Sequence, residues 1–239
     1  MQEGFDRRRL ITGGAAVAAA LALPARAMAD PLVEAFDQAF AATVAVPAAP
    51  LTEPQVAVAA PDPAAEAAYL RRVLEIATRE RDRAGAALWR SDIVGVADFG
   101  RASSLPRLHF ANLENGSVRS FLVAHGKGSD PEHDGWLKHF SNVPGSEATS
   151  RGSYLTCEWY SGKYGTSIRL KGLDPDNSLA LERAIVMHPA WYVDANMIGK
   201  WGKIGRSEGC FAMAPSDFNE ALMHLSGGRL LFADRITEA

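Results

Sequence analysis

The segment Gly205-Arg206-Ser207-Glu208-Gly209-Cys210-Phe211 carries the residue types that nucleophilic catalysis needs. A polar, glycine-rich turn runs into a cysteine at the edge of the next element, where the backbone exposes sulfur and leaves amide hydrogens free to converge. A thiol nucleophile needs a proton acceptor. His188 ends the apolar run Ala184-Ile185-Val186-Met187, which sets its ring at the mouth of a sheet on rigid support. Together the two offer attack on a carbonyl carbon by Cys210, with His188 taking the thiol proton. The backbone amides of Gly209 and Cys210 are the candidate donors to the developing oxyanion. Ser207 orients His188, lends a hydroxyl to the loop, or simply caps its own turn. Arg206 binds a carboxylate bidentately or stands exposed without such a role. Bland alternatives remain open: half of a disulfide or an inert thiol at 210, and a satisfied core histidine at 188.

The chain has only two cysteines, Cys157 and Cys210. If they are not bridged, Cys157 is expected to point into the core from the strand Tyr154 to Tyr160 while Cys210 opens onto a cleft. Two cysteines are too few for a thiolate metal site, and the six histidines lack a His-Glu-x-x-His spacing, so no metal or cofactor is expected. His125 ends a predicted strand within Ala124-His125-Gly126-Lys127-Gly128 and is a candidate for support or substrate contact. The glycines there do not follow the phosphate-loop order. Tyr154, Trp159, Tyr160, Trp191, Tyr192 and Trp201 supply aromatic faces for substrate or for core, with Tyr192 taken as a substrate contact.

These groups need a scaffold, and most of it reads as strand. Ile93 to Val96 is followed by Arg107 to Leu113, the turn Asn115-Gly116, and Val118 to Ala124, a hairpin signature. Tyr154 to Tyr160 and Ser167 to Leu170 form a second pair around Ser161-Gly162-Lys163-Tyr164-Gly165. Ala184 to Met187 and Arg229 to Ala233 are further short strands, and Pro215 to Leu225 is a helix stopped by Gly227-Gly228. Upstream, Leu70, Val73, Leu74 and Ala77 recur at helical spacing within Ala64 to Arg90, with Gly85 a weak point. The expected fold class is mostly β, a sandwich or closed sheet with a few packed helices.

Ile185-Val186-Met187-His188, a variable stretch, and Gly205-Arg206-Ser207-Glu208-Gly209-Cys210 together resemble the L,D-transpeptidase catalytic domain family. The likeness extends loosely from about Leu105 to Asp234. Val123 to Gly128, Gly152-Ser153-Tyr154 and Lys163-Tyr164-Gly165 look like its divergent branch in bacterial envelopes. The resemblance implies an L,D-transpeptidase-like β-sandwich, a Cys210 nucleophile, a His188 base, a Ser-x-Gly-Cys core at Ser207, Gly209 and Cys210, and peptidoglycan stem peptides as partners. Two departures stand out. Pro189 follows the histidine where many members have glycine, and Phe211-Ala212 follow the cysteine where many place a basic residue two positions on. The second removes a carboxylate-binding group, so cysteine acyl chemistry as such is the firmer expectation than transpeptidation of the usual substrate; if water takes the acceptor's role, the same site is a carboxypeptidase or endopeptidase. A noncatalytic peptidoglycan-binding module also stays open.

The N-terminus places Arg7-Arg8-Arg9 before a small and apolar run from Leu10 to Leu23 and ends it with Ala27-Met28-Ala29, the order of a secretory signal peptide over residues 1–29. An uncleaved anchor helix is the alternative. Asp6-Arg7-Arg8-Arg9-Leu10-Ile11 also resembles a twin-arginine export signal. Residues 30–63 read as an alanine- and proline-rich tether, with a short helix possible over Pro31 to Phe40, and residues 64–239 as one catalytic domain. The full chain of 239 residues has a net charge of -3. Cleavage after Ala29 removes four arginines and two acids, leaving 21 basic and 26 acidic residues. No basic tract survives to neutralise phosphates, so nucleic-acid binding is not expected. The expected location is the periplasm or cell envelope, with no stable membrane span after processing.

Overall fold

The structure is a computed structural model describing residues 62–236. The expected signal peptide, the short helix after Pro31 and the tether up to residue 61 lie outside the described residues.

Helix α1 (Pro63–Ala84) opens on Asp62, whose carboxylate accepts from the Ala64 amide at 3.0 Å, with proline at the first helical position. It buries Val73, Ile76, Ala77 and Glu80 and stops at Gly85, φ +47°, so the apolar periodicity ends before Arg90. Buried Glu80 is paired with Arg79 and Arg83 at 2.9 and 2.6 Å.

Eight strands follow: β1 (Ile93–Asp98), β2 (Leu108–Asn112), β3 (Ser117–Phe121), β4 (Gly152–Gly162), β5 (Gly165–Gly172), β6 (Val186–Pro189), β7 (Phe211–Met213) and β8 (Leu230–Asp234). They form one sheet in the order β3-β2-β1-β8-β4-β5-β6-β7, with β1–β8 and β6–β7 parallel and the other pairs antiparallel. The chain leaving β3 meets β7 at the far end of that order: the Ala124 amide donates to the Ala212 carbonyl at 2.9 Å. The sheet is thus nearly closed, a mostly β fold of the kind expected.

Strand alternation explains the two-sided burial. Ile93, Ala97, Leu231 and Ala233 face the interior with Phe99, Tyr154 and Phe211, while Val94, Val96, Leu230 and Phe232 face outward beneath α1. Both predicted hairpins form, β2–β3 around Gly116 and β4–β5 around Lys163-Tyr164. Strand β6 begins two residues later than its apolar run, because Ala184 sits at φ +52° and closes a turn. The helix expected from Pro215 is α3 (Phe218–His224), shorter at its start. Helix α2 (Ala195–Trp201), capped by Asp194 and Gly202, and the three-residue β7 had no periodicity long enough to read.

Candidate active site

Parallel pairing of β6 with β7 sets Met187 opposite Phe211 and His188 opposite Ala212. Met187 and Phe211 enter the core; by alternation His188 and Cys210 fall on the other face. Both line one open cavity of about 690 Å³, together with Tyr192, Arg206 and Ser207.

The loop that carries Cys210 is held by close backbone approach. Ser207 donates its amide to the His125 carbonyl at 2.9 Å and its carbonyl accepts from Lys127 at 2.8 Å. Gly126 packs so tightly that an added Cβ would stand 2.2 Å from the Glu147 oxygen and 2.7 Å from Gly209. At Gly128 the same atom would meet the Ser146 oxygen at 1.9 Å. The two glycines serve this approach of three loops. Gly209, φ +111°, is the turn that lifts Cys210 into place.

Ser207 ties the loop to itself: its hydroxyl donates to the Cys210 carbonyl at 2.6 Å and accepts the Gly209 amide at 3.2 Å. The Gly209 N–H therefore already has an acceptor. Both cysteines are free. Cys210 is 8% exposed, its thiol 3.7 Å from the Ala184 carbonyl. Burial raises its pKa, opposed by the Val186 amide and the positive field of Arg183. Cys157 does not enter the core as expected; it is half-buried at an irregularity in β4 between Thr156 and Trp159.

His188 is buried, with Nδ1 3.0 Å from the Pro189 carbonyl. A carbonyl only accepts, so Nδ1 carries the proton and Nε2 of the neutral ring holds the free lone pair. Burial lowers its pKa. Tyr164, at the β4–β5 tip, stacks on the ring with centroids 4.4 Å apart. Among the described residues no hydrogen bond joins His188 to Cys210; they share the cavity wall with a neutral thiol and a neutral imidazole.

Arg206 borders the cavity but gives one nitrogen to the carbonyls of Asp130 and Pro131. Tyr192 is half-buried at the wall, its carbonyl accepting the Gly205 amide at 2.8 Å. His125 lies off the cavity, 1% exposed. Among the aromatics, Tyr154 is core, with its hydroxyl on the Ser150 carbonyl at 2.8 Å, whereas Trp159, Trp191 and Trp201 are exposed. Sequence reasoning gave no role to Arg183, Ala184 and Glu182, which also line the cavity. Arg183 donates to the Ser141 and Ala148 carbonyls and to Ser150, pinning the loop that packs on Gly209. No local motif marks such an arginine.

A nearly closed, mostly β sheet with one α-helix laid on its outside and a cavity at the β6–β7 ends defines the class of fold. The chain belongs to the L,D-transpeptidase catalytic domain family, which matches residues 67–233 and places it in a superfamily of enzymes acting on the cell wall. Solved structures similar to it include an L,D-transpeptidase from Mycobacterium smegmatis (15% identity, TM-score 0.38, 60% of this chain and 58% of that one). Others are the helical cell shape determining protein of Campylobacter jejuni (13%, TM-score 0.39, 69% and 56%) and an L,D-transpeptidase from Xylanimonas cellulosilytica (14%, TM-score 0.37, 64% and 66%). The chain spans about three fifths of the length of these structures. No curated protein matches it significantly.

Proposed function

We propose that the protein is a peptidoglycan L,D-transpeptidase that forms a thioester on Cys210 and passes the acyl group to an amine. The observation that carries the reading is Cys210 on the wall of a cavity it shares with His188, whose Nε2 lone pair is free because Nδ1–H is held by Pro189. In the first step the thiol proton moves to Nε2 as sulfur bonds to the carbonyl carbon between an L-centre and a D-residue of a stem peptide. The tetrahedral oxyanion collapses, the C–N bond breaks, and the imidazolium protonates the departing D-amino acid. An acceptor amine then attacks the thioester, with His188 taking its proton. The Gly209 amide is engaged by Ser207, so oxyanion stabilisation falls first to the Cys210 amide. Lys127, Lys163, Arg183 and Arg206 line the cavity with Glu147, Glu182 and Glu208, a mixed lining suited to a peptide bearing both carboxylates and an amine. Arg206 and Tyr192 are the assigned substrate contacts, with His125 behind the loop.

On this reading residues 1–29 export the chain, by the twin-arginine route, to the periplasm or cell envelope, and residues 30–63 tether a catalytic domain of residues 64–239. Among the described residues no helix is long and apolar enough to cross a membrane.

Mass spectrometry of purified protein incubated with tetrapeptide and pentapeptide muropeptides tests the reading. Loss of the terminal D-residue with an adduct on Cys210 and a cross-linked product is the expected result. An adduct resolved only by water makes the site a carboxypeptidase or endopeptidase, and binding without any adduct makes it a noncatalytic module.

A further inference from the structure

Behind the nucleophile loop, away from the cavity, three ionisable side chains lie in a buried row. Arg107, His125 and Asp130 are 0%, 1% and 0% exposed. The Arg107 guanidinium gives Nε and Nη2 to the Val123 carbonyl at 3.0 and 2.9 Å and Nη1 to the Arg101 carbonyl at 3.0 Å. Its Nη2 also reaches His125 Nδ1 at 2.8 Å. A guanidinium only donates, so Nδ1 is the acceptor and the ring proton sits on Nε2, 3.2 Å from Asp130 Oδ2. The Asp134 and Gly135 amides complete the carboxylate's shell, each at 3.0 Å. An arginine and an aspartate are thus buried on either side of one imidazole.

Such a row is a poor way to gain stability, because well-packed apolar side chains of similar volume do as well or better. What distinguishes it is the backbone it holds. The His125 carbonyl accepts the Ser207 amide at 2.9 Å, and the Asp130 carbonyl accepts from Arg206 Nη1. The row therefore anchors the two residues that begin the turn into Cys210.

We propose that Arg107, His125 and Asp130 are positioning residues for the nucleophile: they hold segment 124–131 against residues 206–210 and so keep Cys210 seated. Only the activity arm of the test rests on the proposed acyl transfer; the seating of the thiol is read independently.

The test compares His125→Phe, which fills the same space but breaks both links, with His125→Gln, whose amide both accepts and donates. Iodoacetamide alkylation of Cys210 is followed against pH, and kcat and KM are measured on muropeptides. His125→Phe is expected to lower kcat at least about tenfold with little change in KM, since a displacement of about 1 Å near the chemistry costs on the order of a hundredfold. It should also raise alkylation at pH 8 several-fold, as the loosened thiol regains water. His125→Gln should restore both to within a few-fold of the native protein. A folded His125→Phe protein with native alkylation and kcat overturns the proposal. Where His125→Phe does not fold, Asp130→Asn replaces it. A native alkylation profile in that variant, or its failure to fold, assigns the row to the fold alone and overturns the proposal equally. Absence of turnover in the native protein sinks the acyl-transfer reading and leaves the alkylation arm to decide this one.

Discussion

Replacing Gly126 with alanine should uncouple the Cys210 loop without altering Cys210 or His188, the side chains to which the proposed chemistry is assigned. Gly126 has φ -72° and extended backbone that alanine adopts freely, so the substitution is a steric test and not a conformational one. The new methyl would lie 2.2 Å from the Glu147 carbonyl oxygen and 2.7 Å from both the Gly209 nitrogen and Cα. All three are backbone atoms, and relief requires one loop to retreat by about 1 Å to reach ordinary contact near 3.5 Å. Overpacking of this kind costs about 1–3 kcal/mol. For a domain of this size that is a fall in Tm of about 2–12 °C. If the 205–210 turn is the part that yields, Cys210 acylation should drop by about a hundredfold. Gly199→Ala is the matched control: it lies in α2 with nothing within 4 Å of its added methyl, and should raise stability by about 0.4–1 kcal/mol with acylation unchanged. Thermal melts followed by circular dichroism and acylation followed by intact-protein mass spectrometry give both numbers. A Gly126→Ala protein with native Tm and native acylation would refute the packing argument. A lowered Tm with native acylation would refute the link from packing to the nucleophile.

His188→Ala should leave the fold intact and slow acylation by about two to four orders of magnitude, the worth of a positioned base; near-native acylation in the folded variant removes His188 from the mechanism. Acid should destabilise the protein through His109 and His125, both held neutral with pKa values of about 3, chiefly by burial. Because the folded values lie below the unfolded one near 6.5, the stability they contribute is complete above that pH and falls as pH drops from 6.5 toward 3, by up to about 1.4 kcal/mol per pH unit for each ring. Urea unfolding at pH 7.0, 5.5 and 4.5 measures it, and equal midpoints across that range would count against it. N-terminal sequencing of envelope-fraction protein should begin at Asp30, whereas an intact Met1 on the stable form would rule out cleavage.

Legibility followed period and length. The β2–β3 hairpin was readable because Asn115-Gly116 separates two alternating runs, and α1 because Leu70, Val73, Leu74 and Ala77 recur at helical spacing over about two turns. Helix α2 and strand β7 span seven and three residues, too short for either period to register. The start of β6 was misplaced because Ala184 looks like any apolar residue, while its φ of +52° is imposed by the turn that ends at Ile185, whose amide reaches back to the Ala180 carbonyl. At the site, Cys210 and His188 announce themselves by type and context. Arg183 and Arg107 do not, because Arg107 meets the Val123 carbonyl and the His125 ring across 16 and 18 residues and Arg183 meets the Ser141 carbonyl across 42. Long-range pairing of that kind leaves no local pattern.

On the proposed reading, the burial that hides Cys210 also bears on how a nucleophilic cysteine would survive in an oxidising compartment. The thiolate is the species that oxidises and exchanges with disulfides. Here desolvation pushes the thiol pKa up and the imidazole pKa down, and both shifts favour the neutral thiol and neutral imidazole over the thiolate–imidazolium pair. In the proposed mechanism deprotonation is then coupled to attack: the proton leaves for His188 Nε2 as the sulfur begins to bond to carbon. Cys157, half-buried in the β4 irregularity, is likewise a free thiol, so neither sulfur is consumed by the other. A site built this way gives up some intrinsic reactivity toward small electrophiles and gains persistence. That is why the alkylation profile of Cys210, more than its bare reactivity, reports whether its loop is correctly seated.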